Sequence, residues 1–477
     1  MAASPDVCST AGFSLLRPDP RSAHGGVHRI PGTAMTIRRL LAVSTLALAM
    51  SGGLAQAQSA EREAAPIALD RIEAAVTAGM PRVVAWRRDL HAHPELGFAE
   101  TRTAAMVAAH LRALGMEVRT QVGKTGVVGV LRGGRPGGTV ALRADMDALP
   151  VLEATGLPFA STATGTYMGH TVPVAHACGH DAHVAMLMGA AEVLAGMKAD
   201  IPGTIVFIFQ PAEEGAPPGE PLGGARLMIQ EGALANPRPD AIFGLHVVPG
   251  RPGTVFYRPR GFMAASDRVD ITLNGRQTHG AWPWKGVDVI ATAAQIVQTI
   301  NTLTARTIDP TTTPTVFTIA TLDAGVRYNI IPDQAVLSGT LRTFDIAQRD
   351  DLVRRAGIAI DNVAETYGAT AEFTVRQNAA LVFNNEELSA WLAPVLVEAA
   401  GAGNVNAGSP PTTVAEDFSY LSQEVPGVFY HLGGSRDGVD PATSPPNHSP
   451  EFDVNEAVLP LGVRTHVLSA IRFLERD

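Results

Sequence analysis

The segment 204–215, Thr-Ile-Val-Phe-Ile-Phe-Gln-Pro-Ala-Glu-Glu-Gly, decides how the fold of this chain is interpreted. Its first six residues form a continuous apolar run, which is typical of a strand buried on both faces of a sheet. Glu213 and Glu214 follow, at the strand end where open α/β sheets place their active sites. Adjacent carboxylates point in different directions, so one could bind a metal while the other acts as a base. Taken alone, such a pair is more often a solvated acidic turn.

Alternating helical and strand patterns surround this segment. Helical spacing covers 67–92, 101–114 and 179–197, and strand patterns cover 117–121, 126–132, 138–144 and 240–247. Near the C-terminus the patterns predict helices 386–400, 416–423 and 453–474 and strand 427–432. Strands that alternate with helices favour an α/β domain with a central sheet.

The middle of the chain has a different character. It predicts strand 267–274, helix 286–305, strands 315–322 and 335–343, helix 346–367 and strand 371–377. This order, βαββαβ, is the ferredoxin-like pattern. We therefore predict an α/β catalytic domain (58–264 and 379–477) interrupted by an inserted α+β domain (265–378).

The first 57 residues have the features of an upstream segment followed by a secretory signal peptide. Met35 begins a basic stretch with Arg38 and Arg39, an apolar run reaches Met50, and Ala55-Gln-Ala57 provides small residues for cleavage. A signal peptide at about 35–57 predicts an exported protein, periplasmic or secreted. The alternative is a buried first helix.

Length, charge and cysteine content restrict the function further. With 477 residues and 46% hydrophobic residues, the chain can form two domains with substantial cores. Residues 1–57 contain five arginines and two aspartates, so the net charge of −9 becomes −12 after cleavage. An acidic protein is a poor partner for nucleic acid or an anionic membrane, and no later run of 18 apolar residues predicts a membrane span. Cleavage would leave Cys178 as the single cysteine, so an internal disulfide is excluded.

The densest group of potential metal ligands is His176-Ala-Cys178-Gly-His180-Asp181-Ala-His183, which opens a predicted helix. Thiolate and imidazole groups are strong ligands for zinc-like ions. The alternative is a packed cysteine beside exposed histidines.

Further candidates lie at other strand ends and in a C-terminal loop. His246 ends an apolar strand, His448 lies in Asn-His-Ser-Pro, and Asp145 and Asp147 follow strand 138–144. Each has an ordinary alternative, namely a hydrogen-bonded histidine or an Asx turn. As a set, they could hold two ions, which take about four or five protein ligands and a shared water.

Together these motifs resemble the metal-dependent amidohydrolases that include hippurate hydrolase, indole-acetyl-amino-acid hydrolase, N-acyl-amino-acid deacylases and related carboxypeptidases. The resemblance covers nearly all of the chain after the signal peptide. It rests on Arg88-Asp-Leu-His-Ala-His-Pro-Glu95, Asp145-Met-Asp147, His176–His183, Phe209–Glu214, Gly244-Leu-His246, Ala415–Ser419 and His448-Ser-Pro450.

The resemblance implies a role for each matching residue. Cys178, His180, Glu214, His246 and His448 would bind two divalent ions, Zn²⁺ or Mn²⁺, with Co²⁺ or Ni²⁺ as alternatives. Glu213 would be the general base and then the general acid, and Asp147 would support the ligands. The inserted domain would be a lid and dimerisation domain, from which His279 would stabilise the oxyanion in the partner subunit's site. Asn329 and Arg342 would bind the substrate carboxylate.

The implied reaction is hydrolysis of the amide bond of N-acyl amino acids that carry a free carboxylate. Three alternatives remain: a dipeptidase or carboxypeptidase of the same chemistry, a thiol hydrolase using Cys178, and a periplasmic binding protein that has lost catalysis. Thr278 and Trp284 depart from the family pattern, which usually has Gly and His at these positions. This departure puts a polar substrate contact at position 284 in doubt and leaves His279 in place.

Overall fold

A computed structural model describes residues 66–311 and 313–476. The predicted signal peptide therefore lies outside the described residues. The helices are α1 Leu69–Ala92, α2 Thr101–Ala113, α3 His180–Gly196, α4 Gly224–Gln230, α5 Val289–Thr307, α6 Ile346–Thr366, α7 Glu386–Ala400, α8 Phe418–Glu424 and α9 Leu459–Leu474.

The larger sheet is mixed and has the strand order β1-β2-β6-β3-β7-β18-β8-β17. Its strands are β1 Glu117–Val122, β2 Gly126–Arg132, β3 Arg135–Asp145, β6 Pro202–Gln210, β7 Ala241–Val248, β8 Val255–Phe256, β17 Val405–Asn406 and β18 Gly427–Gly433. The four central strands β6, β3, β7 and β18 run parallel. The predicted α/β fold with a central mixed sheet is confirmed.

Burial explains why these segments form the centre of the fold. Seven of the nine residues of β6 are apolar or small and enclosed on both faces, as the uninterrupted run at 204–209 predicts. Helix α3 is buried almost all round, which accounts for its lack of a polar face. The helices α1, α3 and α9 pack together on one face of the sheet in a single hydrophobic core.

The second sheet is antiparallel and has the order β12-β14-β10-β15. Its strands are β10 Ala265–Asn274, β12 Val316–Ala324, β14 Gln334–Thr343 and β15 Thr370–Ala379, and it packs against α5 and α6 around its own core. Asp288 and Asp345 cap the two helices by accepting backbone N–H groups. The element order is the predicted βαββαβ; the domain boundaries and the lid role stay predictions.

Several short elements were not predicted from the sequence. They are a hairpin of β4 Thr164–Tyr167 and β5 His170–Pro173, the pair β9 Arg260–Met263 with β16 Val382–Asn384, the pair β11 Thr278–His279 with β13 Ile330–Ile331, the strands β8 and β17, and helix α4. These segments are too short to show a hydrophobic period.

The last helix begins later than its predicted start at 453. Asn455 caps a short 3₁₀ turn, Glu456–Val458, and regular α-helix begins at Leu459 with Pro460 in its first turn. In the described part of the chain, one window, Glu456–Leu474, is long and apolar enough to span a membrane, but 78% of it is buried within the protein. That burial is typical of a core helix.

Candidate metal centre

The potential ligands converge at the carboxyl edge of the parallel strands. Asp145 ends β3, Glu213 and Glu214 follow β6, and His246 lies near the end of β7. Parallel strands bring their carboxyl ends to one edge of a sheet, where α/β proteins bind ligands. The amino end of α3 brings His180 to the same edge.

Cys178, Glu214 and His448 form one group. One ligand atom from each lies within 4.8 Å of the others. His448 is held there because its backbone N–H donates to the Ala177 carbonyl oxygen at 2.7 Å. Its Nε2 atom lies 3.1 Å from Glu214 Oε1. The Cys178 side chain is buried, and burial raises the pKa of its thiol well above the ordinary value.

His180, Glu213 and Glu214 form a second group with the same spacing, so Glu214 belongs to both. The Nδ1 atom of His180 lies 2.8 Å from the Asp147 carbonyl oxygen. Donation from Nδ1 leaves the lone pair on Nε2, as in most histidines that bind metals. His246 lies beside both groups, because its Nε2 atom is 3.4 Å from Cys178 Sγ and its ring centroid is 5.7 Å from that of His180. Its Nδ1 atom lies 2.9 Å from the Val247 carbonyl oxygen.

These residues fit a divalent metal centre. Within the described part of the chain, the buried His180 Nε2 atom has no hydrogen-bond partner, and the only group that approaches the buried Glu214 Oε1 atom in an ion pair is His448 Nε2, at 3.1 Å. Buried polar atoms are normally hydrogen-bonded or bound to a metal. A set of thiolate, imidazole and carboxylate ligands suits zinc and related ions. The five predicted ligands therefore lie together, and their individual roles stay predictions.

Asp147 fixes the backbone that carries the two glutamates. Its carboxylate oxygens accept the N–H of Glu213 at 3.0 Å and the N–H of Glu214 at 3.1 Å. Its Oδ1 atom also lies 3.4 Å from His180 Nδ1. This position agrees with the supporting role that the resemblance implies.

His183 and Asp145 lie near the metal centre but form a hydrogen bond with each other. His183 Nδ1 lies 2.6 Å from Asp145 Oδ1, and His183 Nε2 accepts the Val247 N–H at 2.8 Å. Arg143 donates to the other Asp145 oxygen at 2.7 Å. With both ring nitrogens occupied, His183 is unsuited to bind a metal and instead fixes the end of β7.

The carboxylate of Glu213 faces an acidic group. Burial, together with the nearby carboxylates of Glu416, Glu214 and Asp417, raises the pKa of Glu213 well above its ordinary value. The buried Arg143 guanidinium opposes this shift; it donates to Glu416 at 2.9 Å and to Asp417 at 3.2 Å. A carboxyl group with a raised pKa is suited to accept and return a proton near neutral pH.

The three remaining predicted residues lie on the second sheet and its loops. His279 pairs with Ile330 across β11 and β13, and Asn329 accepts the Gly280 N–H through its backbone oxygen at 2.8 Å. Arg342 lies on β14 opposite Ser266. None of the three lines either of the two cavities that adjoin Glu214. Their roles stay predictions.

Asn447, and Arg143 with its acidic partners Glu416 and Asp417, were given no role in the sequence analysis. Asn447 donates to the carbonyl oxygens of Cys178 at 3.0 Å and Val247 at 3.1 Å, so it fastens the cysteine loop to β7. Arg143 was visible as a lone charge in an apolar strand, a pattern that predicts buried acidic partners. Two of its acidic partners, Glu416 and Asp417, could not be identified because they lie more than 270 residues away.

A buried ionic network connects the elements that surround the metal centre. Arg87 on α1 lies 3.0 Å from Asp181 and 2.6 Å from Asp453. His91 lies between Asp181, at 2.8 Å, and Glu153, at 3.0 Å. Although burial opposes it, the charge and hydrogen bond of Asp181 raise the pKa of His91 to about 9. The network joins α1 to the start of α3 and to the segment that follows His448.

Comparisons with known proteins agree with this geometry. Residues 141–472 match the family described as peptidase family M20/M25/M40. The chain is 40% identical to thermostable carboxypeptidase 2 of Saccharolobus solfataricus over 397 residues, 82% of this chain and 95% of the relative. It is 34% identical to the N-acetylcysteine deacetylase of Bacillus subtilis over 397 residues, 83% of this chain and 97% of the relative.

A solved structure supports the same assignment. The Bacillus subtilis YxeP protein, described as a dinuclear metal-binding peptidase of the M20 family, superimposes with a TM-score of 0.70 at 32% identity, covering 84% of this chain and all of that one. The family match covers 332 residues, and the candidate ligands of this chain lie together in the structure. This chain belongs to peptidase family M20/M25/M40 and is a metal-dependent amide hydrolase.

Proposed function

We propose that the protein hydrolyses the amide bond of N-acyl amino acids with two divalent ions, held by Cys178, His180, Glu214, His246 and His448. The observation that carries this proposal is the position of Glu214, which belongs to both ligand groups. Because the two groups overlap at Glu214, they could hold two ions close together. The relatives support it: one is named as dinuclear and another as a deacetylase of an N-acyl amino acid. We propose Zn²⁺, which thiolate and imidazole ligands suit, or Mn²⁺, which carboxylates suit, with Co²⁺ and Ni²⁺ as alternatives.

When bound, the ions would polarise the amide carbonyl and make water a better nucleophile at neutral pH. The chain's own residues then move the proton. Glu213 Oε1 accepts the Asp417 N–H at 3.2 Å, which holds the carboxylate beside the ligand group. In that position Glu213 accepts a proton from the attacking water and returns it to the leaving nitrogen.

The amino-acid half of the substrate requires a carboxylate site. Arg342 is half-buried, and burial lowers the pKa of its guanidinium although the nearby Asp267 carboxylate opposes this shift. Its hydrogen bonds go to Thr340 Oγ1 and the Leu341 carbonyl oxygen, so its charge is open to a substrate anion. The planar guanidinium binds carboxylates through paired hydrogen bonds. We assign this carboxylate to Arg342 and Asn329, and oxyanion stabilisation to His279.

The second candidate is a carboxypeptidase or dipeptidase of the same chemistry. The 40% identity to a thermostable carboxypeptidase favours it. The two activities would use the same metal centre. They differ in whether the amino group of the carboxylate-bearing amino acid carries a simple acyl group or an aminoacyl group.

Glu213→Gln tests the mechanism. We expect the variant to keep its metal content and lose at least 10²-fold in kcat on N-acyl amino acids, because the amide cannot accept the proton. Glu220→Gln, a surface carboxylate, is the matched control. Full activity of Glu213→Gln with normal metal content would refute the role of Glu213.

We also propose that the protein is exported after cleavage near residue 57 and acts as a homodimer on a small substrate. The basic, apolar and small-residue order at 35–57 supports export. Neither His279 nor Asn329 lines a cavity beside Glu214 in its own subunit, and neither pairs with a residue that does, which supports an arrangement in which a partner supplies them. A solution mass equal to one mature chain would contradict the dimer.

A further inference from the structure

Two cavities adjoin Glu214 on different sides. The first, of about 790 Å³, extends from Asp147 and Glu214 to the hairpin of β4 and β5. The second, of about 420 Å³, extends from Glu213 and Glu214 to residues at the ends of the second sheet, including Ser266 and Asn378. Because Glu214 lines both, an amide bond at the metal centre would send one half of the substrate into each cavity.

The position of Arg342 decides which half enters which cavity. Ser266, in the wall of the second cavity, is the cross-strand partner of Arg342 on β14. Arg226 also lines this second cavity. Glu213, Glu214, Glu416 and Asp417 line the same cavity, but Glu416 and Asp417 are paired with the buried Arg143. The cations Arg226 and Arg342, at and beside the wall, therefore suit the carboxylate of the amino-acid half. The acyl half is then directed into the first cavity, which we call the acyl cavity.

The lining of the acyl cavity is apolar away from the metal. Leu96, Leu149, Pro150 and Val174 form its wall, and Met168 lies at its rim. Gly165 packs directly against this wall, because a Cβ atom there would lie 2.9 Å from Leu96 Cδ1 and 3.1 Å from Val174 Cγ2.

The charged residues that line this cavity, Glu95, Asp147 and Glu214, are all acidic, and Asp147 and Glu214 belong to the metal centre. Glu95 accepts the N–H groups of Arg102 at 2.9 Å and Thr103 at 2.8 Å, so it caps α2 rather than facing a ligand. Among residues 66–311 and 313–476, no arginine or lysine lines the cavity. An acyl group with its own carboxylate would lose its hydration there without gaining a cation.

The volume of the acyl cavity also favours a large acyl group. Ligand sites of about 300–1,000 Å³ hold drug-sized molecules, so 790 Å³ exceeds what an acetyl group of three heavy atoms can fill. The hairpin adds exposed apolar surface at the rim, where Met168 is 69% exposed at a turn with positive φ.

From these observations we propose that the acyl cavity selects large, uncharged, apolar acyl groups, such as aromatic or medium-chain acyl groups, and excludes acyl groups that carry a carboxylate. This inference rests on the proposed function, since it assigns the acyl side of the same reaction. It makes Leu96 a residue that determines specificity.

The experiment uses the metal-loaded full-length mature enzyme and four substrates that share one amino acid: N-acetyl, N-benzoyl, N-octanoyl and N-succinyl. Leu96→Lys places a cation in the wall. Leu152→Lys is the matched control, because Leu152 is 70% exposed and does not line the cavity. The readout is kcat/KM for each acyl group relative to N-acetyl, so that a general loss of folded enzyme cancels.

For the unmodified enzyme and for Leu152→Lys, we expect N-benzoyl and N-octanoyl to exceed N-acetyl by at least tenfold and N-succinyl to be the poorest substrate. In Leu96→Lys the benzoyl-to-acetyl ratio should fall roughly 10- to 100-fold, and the succinyl-to-acetyl ratio should rise. If Leu96→Lys does not fold, Leu96→Gln should lower the benzoyl-to-acetyl ratio in the same direction.

Two outcomes would contradict the acyl-cavity proposal, and the experiment distinguishes them. Efficient cleavage with N-acetyl preferred, and equal ratios in Leu96→Lys and Leu152→Lys, would overturn the acyl-cavity assignment while leaving the proposed function intact. No cleavage of any of the four by the metal-loaded enzyme would overturn the proposed function and this inference with it.

Discussion

Arg87 and Arg88 are adjacent on α1 and both contact Glu456, yet their replacement should have very different effects. Arg87 is 1% exposed and pairs with Asp181, Asp453 and Glu456 at 3.0, 2.6 and 3.4 Å. Arg88 is 51% exposed and pairs with Glu456 alone at 2.6 Å. Arg87→Met keeps much of the aliphatic volume but leaves the buried Asp181 without its guanidinium.

The size of the effect follows from burial. Removing one partner of a buried ion pair costs about 3–5 kcal/mol, whereas an exposed pair contributes about 0–1 kcal/mol. The pKa of His91 is raised to about 9, so His91 is protonated at pH 7 and still faces Asp181. Because this cation remains, we expect Arg87→Met to lower the free energy of unfolding by about 3 kcal/mol, the lower end of that range.

Urea unfolding at pH 7, followed by circular dichroism, measures both variants against the unmodified protein. We expect the urea concentration at the midpoint of unfolding to change little for Arg88→Met. For Arg87→Met it should fall by an amount that corresponds to a loss of about 3 kcal/mol in the free energy of unfolding, at similar m values. Arg87→Lys should lie between them, because lysine keeps the charge but loses the planar fork. Free energies of unfolding for Arg87→Met and Arg88→Met that agree within about 0.5 kcal/mol would refute the reasoning.

Three further predictions concern the ligands, their support and the core. Cys178→Ser should retain metal at least tenfold more weakly in a chelator titration, since a hydroxyl is a poorer ligand than a thiolate; undiminished retention would remove Cys178 from the ligand set. Asp147→Asn should lower metal affinity or kcat by about 10- to 100-fold, because only one oxygen remains to accept the Glu213 and Glu214 N–H groups; activity within twofold of normal would contradict this. Burial lowers the pKa of His466 to about 3, and neither of its ring nitrogens has a hydrogen-bond partner in the described chain. Its contribution to stability is therefore present above pH 6.5 and is lost as the pH falls toward 3, by about 2 kcal/mol at pH 5. His466→Phe should unfold less readily on acidification than the unmodified protein, and identical pH dependence of their melting temperatures would disprove the assignment.

The sequence by itself determined the elements whose signal is local. The apolar run at 204–209 predicted β6, and the βαββαβ order predicted the second sheet, because a buried strand or an amphipathic helix records its surroundings in consecutive residues. The ligand candidates could also be identified, since Cys178, His180 and Glu214 stand in short motifs at strand or helix ends. Where a boundary depended on capping rather than periodicity, as at Leu459, the prediction was six residues early.

The tertiary structure alone decided which distant residues meet. Glu214 adjoins His448 and Arg143 meets Glu416 because β3, β6 and β7 are neighbours in the sheet and the C-terminal loops close over their ends. The acyl cavity likewise depends on a hairpin, Thr164–Pro173, packing opposite Leu96. Contacts of this kind are set by strand order and loop closure across the whole chain, and a motif of a few residues records only the chemistry that each partner brings.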